Sequence, residues 1–294
     1  MRLGVVLPTF TTDITRPMVA ASHAAEVGAD AVFAVDHLFP PGAPDRPGLE
    51  PFSLLAAVAA RHPMLGAGVL VARAGMRPEG LVAAQAAALA LQTEGRFVLG
   101  IGAGDALVRA EHETFGLPFP PAAERIARAE ETARAIVALR DGEVWTGGEH
   151  VPAIAGPIGP GARPVVWLGG LARSIVEAAG RSADGWNGWG VDAEGFTTRA
   201  ELVRAAAAQA GRTPDEVAPT WGGIVLVGRD EDELRRLDAE RAATGVAWDP
   251  WRGTIEDLRR HLAALRAAGA TWFIVTPAGP GDRLAIIAST LREG

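Results

Sequence analysis

The chain has 294 residues and a formal net charge of −7, and it contains no cysteine, no tyrosine and no lysine, so all 28 basic residues are arginine. The missing cysteine excludes thiol nucleophiles, iron–sulfur clusters and disulfides, and the missing lysine excludes Schiff-base chemistry and the P-loop lysine. The missing tyrosine excludes a tyrosine acid of the reductase type. The acidic balance argues against nucleic acids and anionic membranes as partners.

Short apolar runs alternate with alanine-rich stretches along the whole chain. Apolar runs bounded by glycine or proline predict strands that are buried on both faces. The predicted strands are 2–7, 31–35, 65–71, 97–101, 164–168, 184–187, 221–227 and 271–276. The predicted helices are 15–28, 51–61, 78–93, 123–140, 171–180, 193–210, 230–243, 254–268 and 281–292. Eight strands, each followed by a helix, predict a (β/α)₈ TIM barrel, with a doubly wound sheet as the alternative.

No linker divides the sequence, so we expect a single domain over residues 1–294. An irregular stretch at about 141–163 predicts an insertion between the fourth helix and the fifth strand, with a small hairpin around 144–151. A proline-rich stretch at 39–51 follows the second strand, and in a barrel both would lie over the C-terminal face. The chain shows neither a signal segment nor an apolar run of about 20 residues, and we therefore expect a cytoplasmic protein.

Asp36 and His37 come directly after the second predicted strand. The C-terminal ends of barrel strands are where catalytic groups are found, and histidine is the side chain best suited to move protons near neutral pH. The alternative is an aspartate that caps a turn beside a histidine held by local hydrogen bonds. The six histidines are scattered without metal-ligand spacing, so no metal site is predicted.

Two glycine-rich segments follow later strands. Residues 100–105 superficially resemble a dinucleotide fingerprint, but Asp105 stands where that motif has its third glycine. In a barrel, Gly102 and Gly104 would let a ligand approach the backbone, and Asp105 would be an acid or acceptor at the mouth. The alternative is a tight turn with a capping aspartate. Gly169 and Gly170 precede a helix, where backbone N–H groups could hold a phosphate, although a plain strand-to-helix turn also fits.

Five segments, in order, resemble the signatures of the luciferase-like flavin or deazaflavin oxidoreductases. They are residues 28–37, residues 66–71 followed by Arg77-Pro78, and residues 94–104, 164–170 and 183–187. The resemblance covers most of the chain. It implies a (β/α)₈ barrel with an insertion after the fourth helix and a flat isoalloxazine-type ring at the C-terminal mouth. Dimers are common in the family, so the resemblance also predicts a homodimer, with the alanine-rich second and third helices as a candidate interface; close packing of these helices on the barrel is the alternative explanation of their alanines.

The resemblance also assigns residues to the cofactor and to the reaction. A non-proline cis peptide would join Gly68 to Val69 and form a bulge, continued by Leu70, that supports the ring. The cofactor's phosphate would sit near the glycine pair at 169–170. Asp36 and His37 match the family's ring-side acid and histidine; His37 would donate or accept a proton, and Asp36 would hold the histidine or the ring.

Some positions depart from the sugar-phosphate dehydrogenases of the family. Asp105 stands where these enzymes have a glutamate and is one methylene shorter. Pro41 replaces a tryptophan that follows their histidine, and Phe10 replaces a glutamate near the end of their first strand. These differences argue against glucose 6-phosphate as the substrate.

The resemblance leaves two cofactors open. The Asp36-His37 pair and Arg77-Pro78 favour coenzyme F420, which carries hydride only, and the substrate would be a small organic molecule. FMN would instead imply a monooxygenase that uses oxygen. A third possibility is a barrel that binds ligands without catalysis.

Overall fold

The computed structural model describes residues 1–156, 161, 163–244 and 248–293. Its strands are β1 (Arg2–Val6), β2 (Ala31–Ala34), β3 (Gly66–Arg73), β4 (Phe97–Gly102), β5 (Val165–Gly169), β6 (Gly185–Trp189), β7 (Ala218–Gly228), β8 (Trp251–Thr254) and β9 (Trp272–Pro277). Its α-helices are α1 (Thr15–Glu26), α2 (Pro51–Arg61), α3 (Glu79–Gln92), α4 (Arg109–Thr114), α5 (Ala122–Arg140), α6 (Arg173–Ser182), α7 (Ala193–Gln209), α8 (Glu231–Ala243), α9 (Ile255–Ala267) and α10 (Arg283–Arg292). Short 3₁₀ turns lie at Ala106–Val108 and Pro214–Glu216.

Eight of these strands form a closed parallel barrel. Neighbours pair in the order β1, β2, β3, β4, β5, β6, β7 and β9, and β9 pairs back onto β1. The pairing of β6 with β7 completes the ring. The predicted (β/α)₈ barrel is confirmed, and the doubly wound sheet is wrong because that sheet would stay open.

Two elements were not predicted. The short strand β8 pairs with the last four residues of β7 and lies outside the ring. The six-residue helix α4 follows β4 and precedes the helix α5 that the sequence predicted. In the predicted insertion, the hairpin is reduced to one antiparallel bridge between Trp145 and Ile154. Positions 157–160 and 162 of this insertion lie outside the described residues.

Aromatic side chains fill the interior of the barrel. Phe33 stacks on Trp167 at a centroid distance of 6.0 Å and meets Trp272 edge-on at 5.8 Å. Glycine is needed beneath them, since a Cβ on Gly4 or Gly68 would lie 2.6 Å from the ring of Phe33. This plug closes the middle of the barrel, and a large cavity lies beyond it, towards the C-terminal ends of the strands.

The helices cover the outside of the barrel. On α3, four alanines are buried within the chain itself, namely Ala83, Ala86, Ala87 and Ala90. They therefore serve close packing inside the chain, and the homodimer remains a prediction. Among the described residues, none of the helices combines the length and the apolar character needed to span a bilayer.

Candidate active site

A cavity of about 820 Å³ opens at the C-terminal end of the barrel. Its wall is formed by residues at the ends of the strands, such as Leu70 of β3, Trp189 of β6 and Thr276 of β9. Most of the wall is apolar, and the volume of the cavity lies in the range of cavities that hold cofactors and small ligands. The described residues include no group of three or more histidine or acidic side chains arranged to bind a metal ion.

Asp36 and His37 are neighbours in sequence but serve different parts of this site. The carboxylate of Asp36 is fully buried and accepts two hydrogen bonds from Arg77, at 2.8 and 2.9 Å. It also accepts the backbone N–H of Arg73 at 3.1 Å. Asp36 thus ties the end of β2 to the loop after β3, and it makes no hydrogen bond to His37, contrary to one of its two expected roles.

His37 is instead anchored by a residue that the sequence analysis missed. Its Nδ1 lies 2.7 Å from Oε1 of Glu111 on α4. Oε2 of Glu111 accepts hydrogen bonds from the backbone N–H of Leu38 and from Nη2 of Arg73, both at 2.7 Å. Glu111 is fully buried, whereas a quarter of the His37 side chain is exposed, and His37 lines the cavity.

These contacts determine the charge state of Glu111. Burial by itself would raise the pKa of Glu111, but the hydrogen bonds from His37 and Leu38 and the charge of Arg73 outweigh it and lower that pKa. Arg73 is itself 5% exposed, and within the described part of the chain its Nε and Nη1 have no hydrogen-bond partner. The site therefore contains a buried ion pair directly behind the histidine that faces the cavity.

The cis peptide is present, but two residues further along than predicted. It joins Leu70 to Val71, not Gly68 to Val69, and it coincides with a shift in the β3–β4 register between Val69 and Ala72. Both Leu70 and Val71 line the cavity.

Gly68 and Val69 lie away from the cavity wall. Gly68 sits beneath the aromatic plug, and Val69 is fully buried in the layer between strands and helices. Neither is among the residues that line the cavity, so their expected contact with a cofactor has no counterpart in this geometry.

The glycines at the ends of β4 and β5 make room for a side chain of the protein itself, whereas the sequence predicted that they would make room for a ligand. A Cβ on Gly102 or Gly169 would overlap the side chain of Val71, at 2.7 Å in the case of Gly169. Both glycines line the cavity, but the space that they leave is taken by Val71. They accommodate the bulge of β3, so a ligand could contact these two glycines only from beside the bulge.

The remaining predicted residues lie at the rim of the cavity. Gly104 and Gly170 line it with positive φ angles of 68° and 149°, and Gly170 precedes α6. Asp105 also lines it, but its Oδ1 accepts the backbone N–H of Leu107 at 2.8 Å. Asp105 therefore caps the 3₁₀ turn, which was the alternative interpretation of this residue. Phe10 and Pro41 both lie on the wall.

Comparisons with known proteins agree with this architecture. A family model described as luciferase-like monooxygenase matches residues 1–289. A phthiodiolone/phenolphthiodiolone dimycocerosates ketoreductase from Mycobacterium kansasii is 32% identical over 212 residues, which cover 69% of this chain and 57% of the relative. An F420-dependent glucose-6-phosphate dehydrogenase from Beutenbergia cavernae is 30% identical over 225 residues, or 74% of this chain and 65% of the relative. The chain thus spans little more than half the length of the ketoreductases that it matches.

Solved structures share the fold at low sequence identity. An F420-dependent secondary alcohol dehydrogenase in complex with an F420–acetone adduct has a TM-score of 0.82 at 16% identity, covering 98% of this chain and 97% of that one. The EDTA monooxygenase from Chelativorans sp. BNC1 has a TM-score of 0.80 at 19% identity, covering 99% and 92%. The family match extends over nearly the entire sequence, and the chain belongs to the luciferase-like monooxygenase family of oxidoreductases.

Proposed function

We propose that this protein transfers a hydride between coenzyme F420 and a small organic carbonyl or alcohol. The observation that carries the proposal is His37, a histidine that faces an apolar cavity and is anchored from behind by a buried carboxylate. Reduction of a carbonyl adds a hydride to carbon and a proton to oxygen, and oxidation of an alcohol removes both. A histidine at the cavity wall can supply or take that proton.

The cavity has features that fit a deazaflavin. Its volume of about 820 Å³ leaves room for a flat ring and a small substrate. Leu70 and Val71 would contact the ring, and the N-terminus of α6 beyond Gly170 would hold the phosphate through backbone N–H groups. The bound deazaflavin would supply or accept the hydride, and the protein would orient it and manage the proton.

The choice of F420 over FMN is supported by the sequence relatives. One is named a ketoreductase and the other an F420-dependent dehydrogenase, and neither name describes an oxygenation. Monooxygenation, with FMN as the other cofactor that the family resemblance leaves open, is the second candidate, because the EDTA monooxygenase shares the fold with nearly the same TM-score as the F420-dependent alcohol dehydrogenase.

The walls of the cavity favour an uncharged, partly apolar substrate. Phe10 and Pro41 stand where the sugar-phosphate dehydrogenases are expected to have a glutamate and a tryptophan, and both line the cavity. Of its arginines, Arg73 is paired with Glu111, and Arg125 donates to three backbone carbonyls. Arg16 and Arg241 also line the cavity. Phe10 and Pro41, and not the arginines, therefore argue against glucose 6-phosphate as the substrate.

An equilibrium titration with each cofactor tests the proposal. The purified protein, stripped of bound cofactor, is titrated side by side with F420 and with FMN while cofactor fluorescence is followed. Tight binding of F420 alone, followed by its reduction or oxidation with small alcohols or ketones, is the expected result. Binding of FMN alone with oxygen consumption would replace the proposal by monooxygenation, and binding of neither would overturn both.

A further inference from the structure

We infer that Glu111 and Arg73 form a positioning pair that determines which ring nitrogen of His37 faces the substrate as a proton acceptor. The inference rests on the proposed role of His37 in proton transfer. It concerns Glu111 on α4, which does not line the cavity, and Arg73 at the end of β3, which lines it but is only 5% exposed.

The hydrogen bonds around Glu111 determine the direction of the contact with His37. An ionised carboxylate can only accept hydrogen bonds, and Oε2 of Glu111 already accepts from Leu38 and Arg73. At 2.7 Å, the contact between Oε1 and Nδ1 therefore requires His37 to carry a hydrogen on Nδ1. In the neutral ring, Nε2 is then the acceptor, and it has no hydrogen-bond partner among the described residues.

Arg73 explains how a carboxylate remains ionised at a fully buried position. Its Nη2 lies 2.7 Å from Oε2 of Glu111, and both side chains are more than nine-tenths buried. In the part of the chain that the structure describes, Glu111 is the only acidic side chain within ion-pair distance of Arg73. Burial would otherwise favour a protonated Glu111, which could donate to Nδ1 and reverse the tautomer.

The ion pair also leaves His37 free to change its own charge. The charges of Glu111 and Arg73 cancel, so the buried carboxylate does not depend on a protonated His37 for neutralisation. The ring can then gain and lose a proton at Nε2 while Nδ1 stays bonded to Glu111. This is the behaviour that a proton donor in one half-reaction and an acceptor in the other requires.

The experiment measures the tautomer directly, in the protein without cofactor. The protein is labelled with ¹⁵N-histidine, the signals of His37 are assigned with the variant His37→Asn, and the imidazole ¹⁵N shifts are recorded at a pH where the ring is neutral. We expect the Nδ1–H tautomer in the wild type. In Glu111→Gln, a neutral amide replaces a charge-assisted acceptor, and the ratio of Nδ1–H to Nε2–H should fall about tenfold.

Two further variants make the outcome decisive. Glu113→Gln removes a carboxylate from the same helix, where Glu113 is mostly exposed and only 4.0 Å from Arg109, and it should leave the ratio unchanged. The double variant Arg73→Met/Glu111→Gln removes both buried charges together, so it leaves no unpaired arginine. It should show the same fall in the tautomer ratio, and it provides the test if Glu111→Gln alone does not fold. An unchanged ratio in both Glu111 variants would overturn the inference.

Kinetics separate this inference from the proposed function. With F420 and an active substrate, Glu111→Gln should lower kcat about tenfold or more while KM and F420 affinity change little. If the wild type has the Nδ1–H tautomer but neither binds nor turns over F420, the proposed function fails and the positioning pair stands. A wild type with Nε2–H would overturn the positioning pair even if F420 turnover is found.

Discussion

A buried histidine outside the cavity is expected to make the stability of the fold sensitive to acid. The ring of His261 on α9 lies 5.0 Å from that of Trp221 and 5.1 Å from that of Trp251, measured between centroids. Among the described residues, Nε2 of His261 has no hydrogen-bond partner, and the residue is 8% exposed. Burial lowers the pKa of His261 from 6.5 to about 4, and the charge of Asp192 offsets only part of this.

The sign and size of the effect follow from this depressed pKa. Between pH 6.5 and pH 4, the unfolded chain binds a proton at His261 that the folded chain excludes. The free energy of unfolding therefore falls as the pH is lowered through this window, and the effect is absent at pH 8. The full difference corresponds to about 3 kcal/mol, of which about 2 kcal/mol is lost at pH 5.

The variant His261→Phe tests this calculation, because it keeps an aromatic ring and removes the titrating group. Urea unfolding is followed by tryptophan fluorescence at pH 8 and at pH 5 for both proteins. The wild type should lose about 2 kcal/mol more than the variant on acidification. His23→Phe, on α1, is the matched control and should follow the wild type. Equal losses for wild type and His261→Phe would refute the assignment of the acid sensitivity to this buried ring.

Three further substitutions test the site. Asp36→Ala leaves the largely buried guanidinium of Arg77 without its bidentate partner, and urea unfolding should show a loss of about 3 kcal/mol; a loss under about 1 kcal/mol would contradict a structural role. His37→Ala should lower turnover about 10²–10⁴-fold with little change in cofactor affinity, and unchanged turnover would remove it from proton transfer. Gly102→Ala should cost about 1–3 kcal/mol through overlap with Val71, and adding Val71→Ala should recover most of it; no recovery would place the strain elsewhere.

The barrel could be predicted because its strands have a clear sequence signal. Each of the eight barrel strands is a short apolar run, and the structure has it within a few residues of the predicted range. The strand β8 lacks this signal, since it has four residues of which only Gly253 is buried, and it pairs with β7 alone. The helix α4 has only six residues, too few for an apolar periodicity to identify it.

The glycines show a second kind of feature that the sequence alone does not predict. A glycine after a strand indicates that a side chain would not fit, but it does not identify the group that occupies the space. At Gly102 and Gly169 this group is Val71, which the bulge of β3 brings across two neighbouring strands. The position of that bulge depends on the register between β3 and β4, and register is a property of the paired sheet.

The partner of His37 could not be found by inspecting its neighbours in sequence. Asp36 and His37 both line the cavity beyond the end of β2, but their side chains are held by different partners. Asp36 faces Arg77, and His37 receives its carboxylate from Glu111, 74 residues later. In a closed parallel barrel the segments that follow different strands meet above one end, so Glu111 reaches His37 across the mouth. Which carboxylate anchors the histidine therefore depends on closure of the sheet, which spacing along the chain does not reveal.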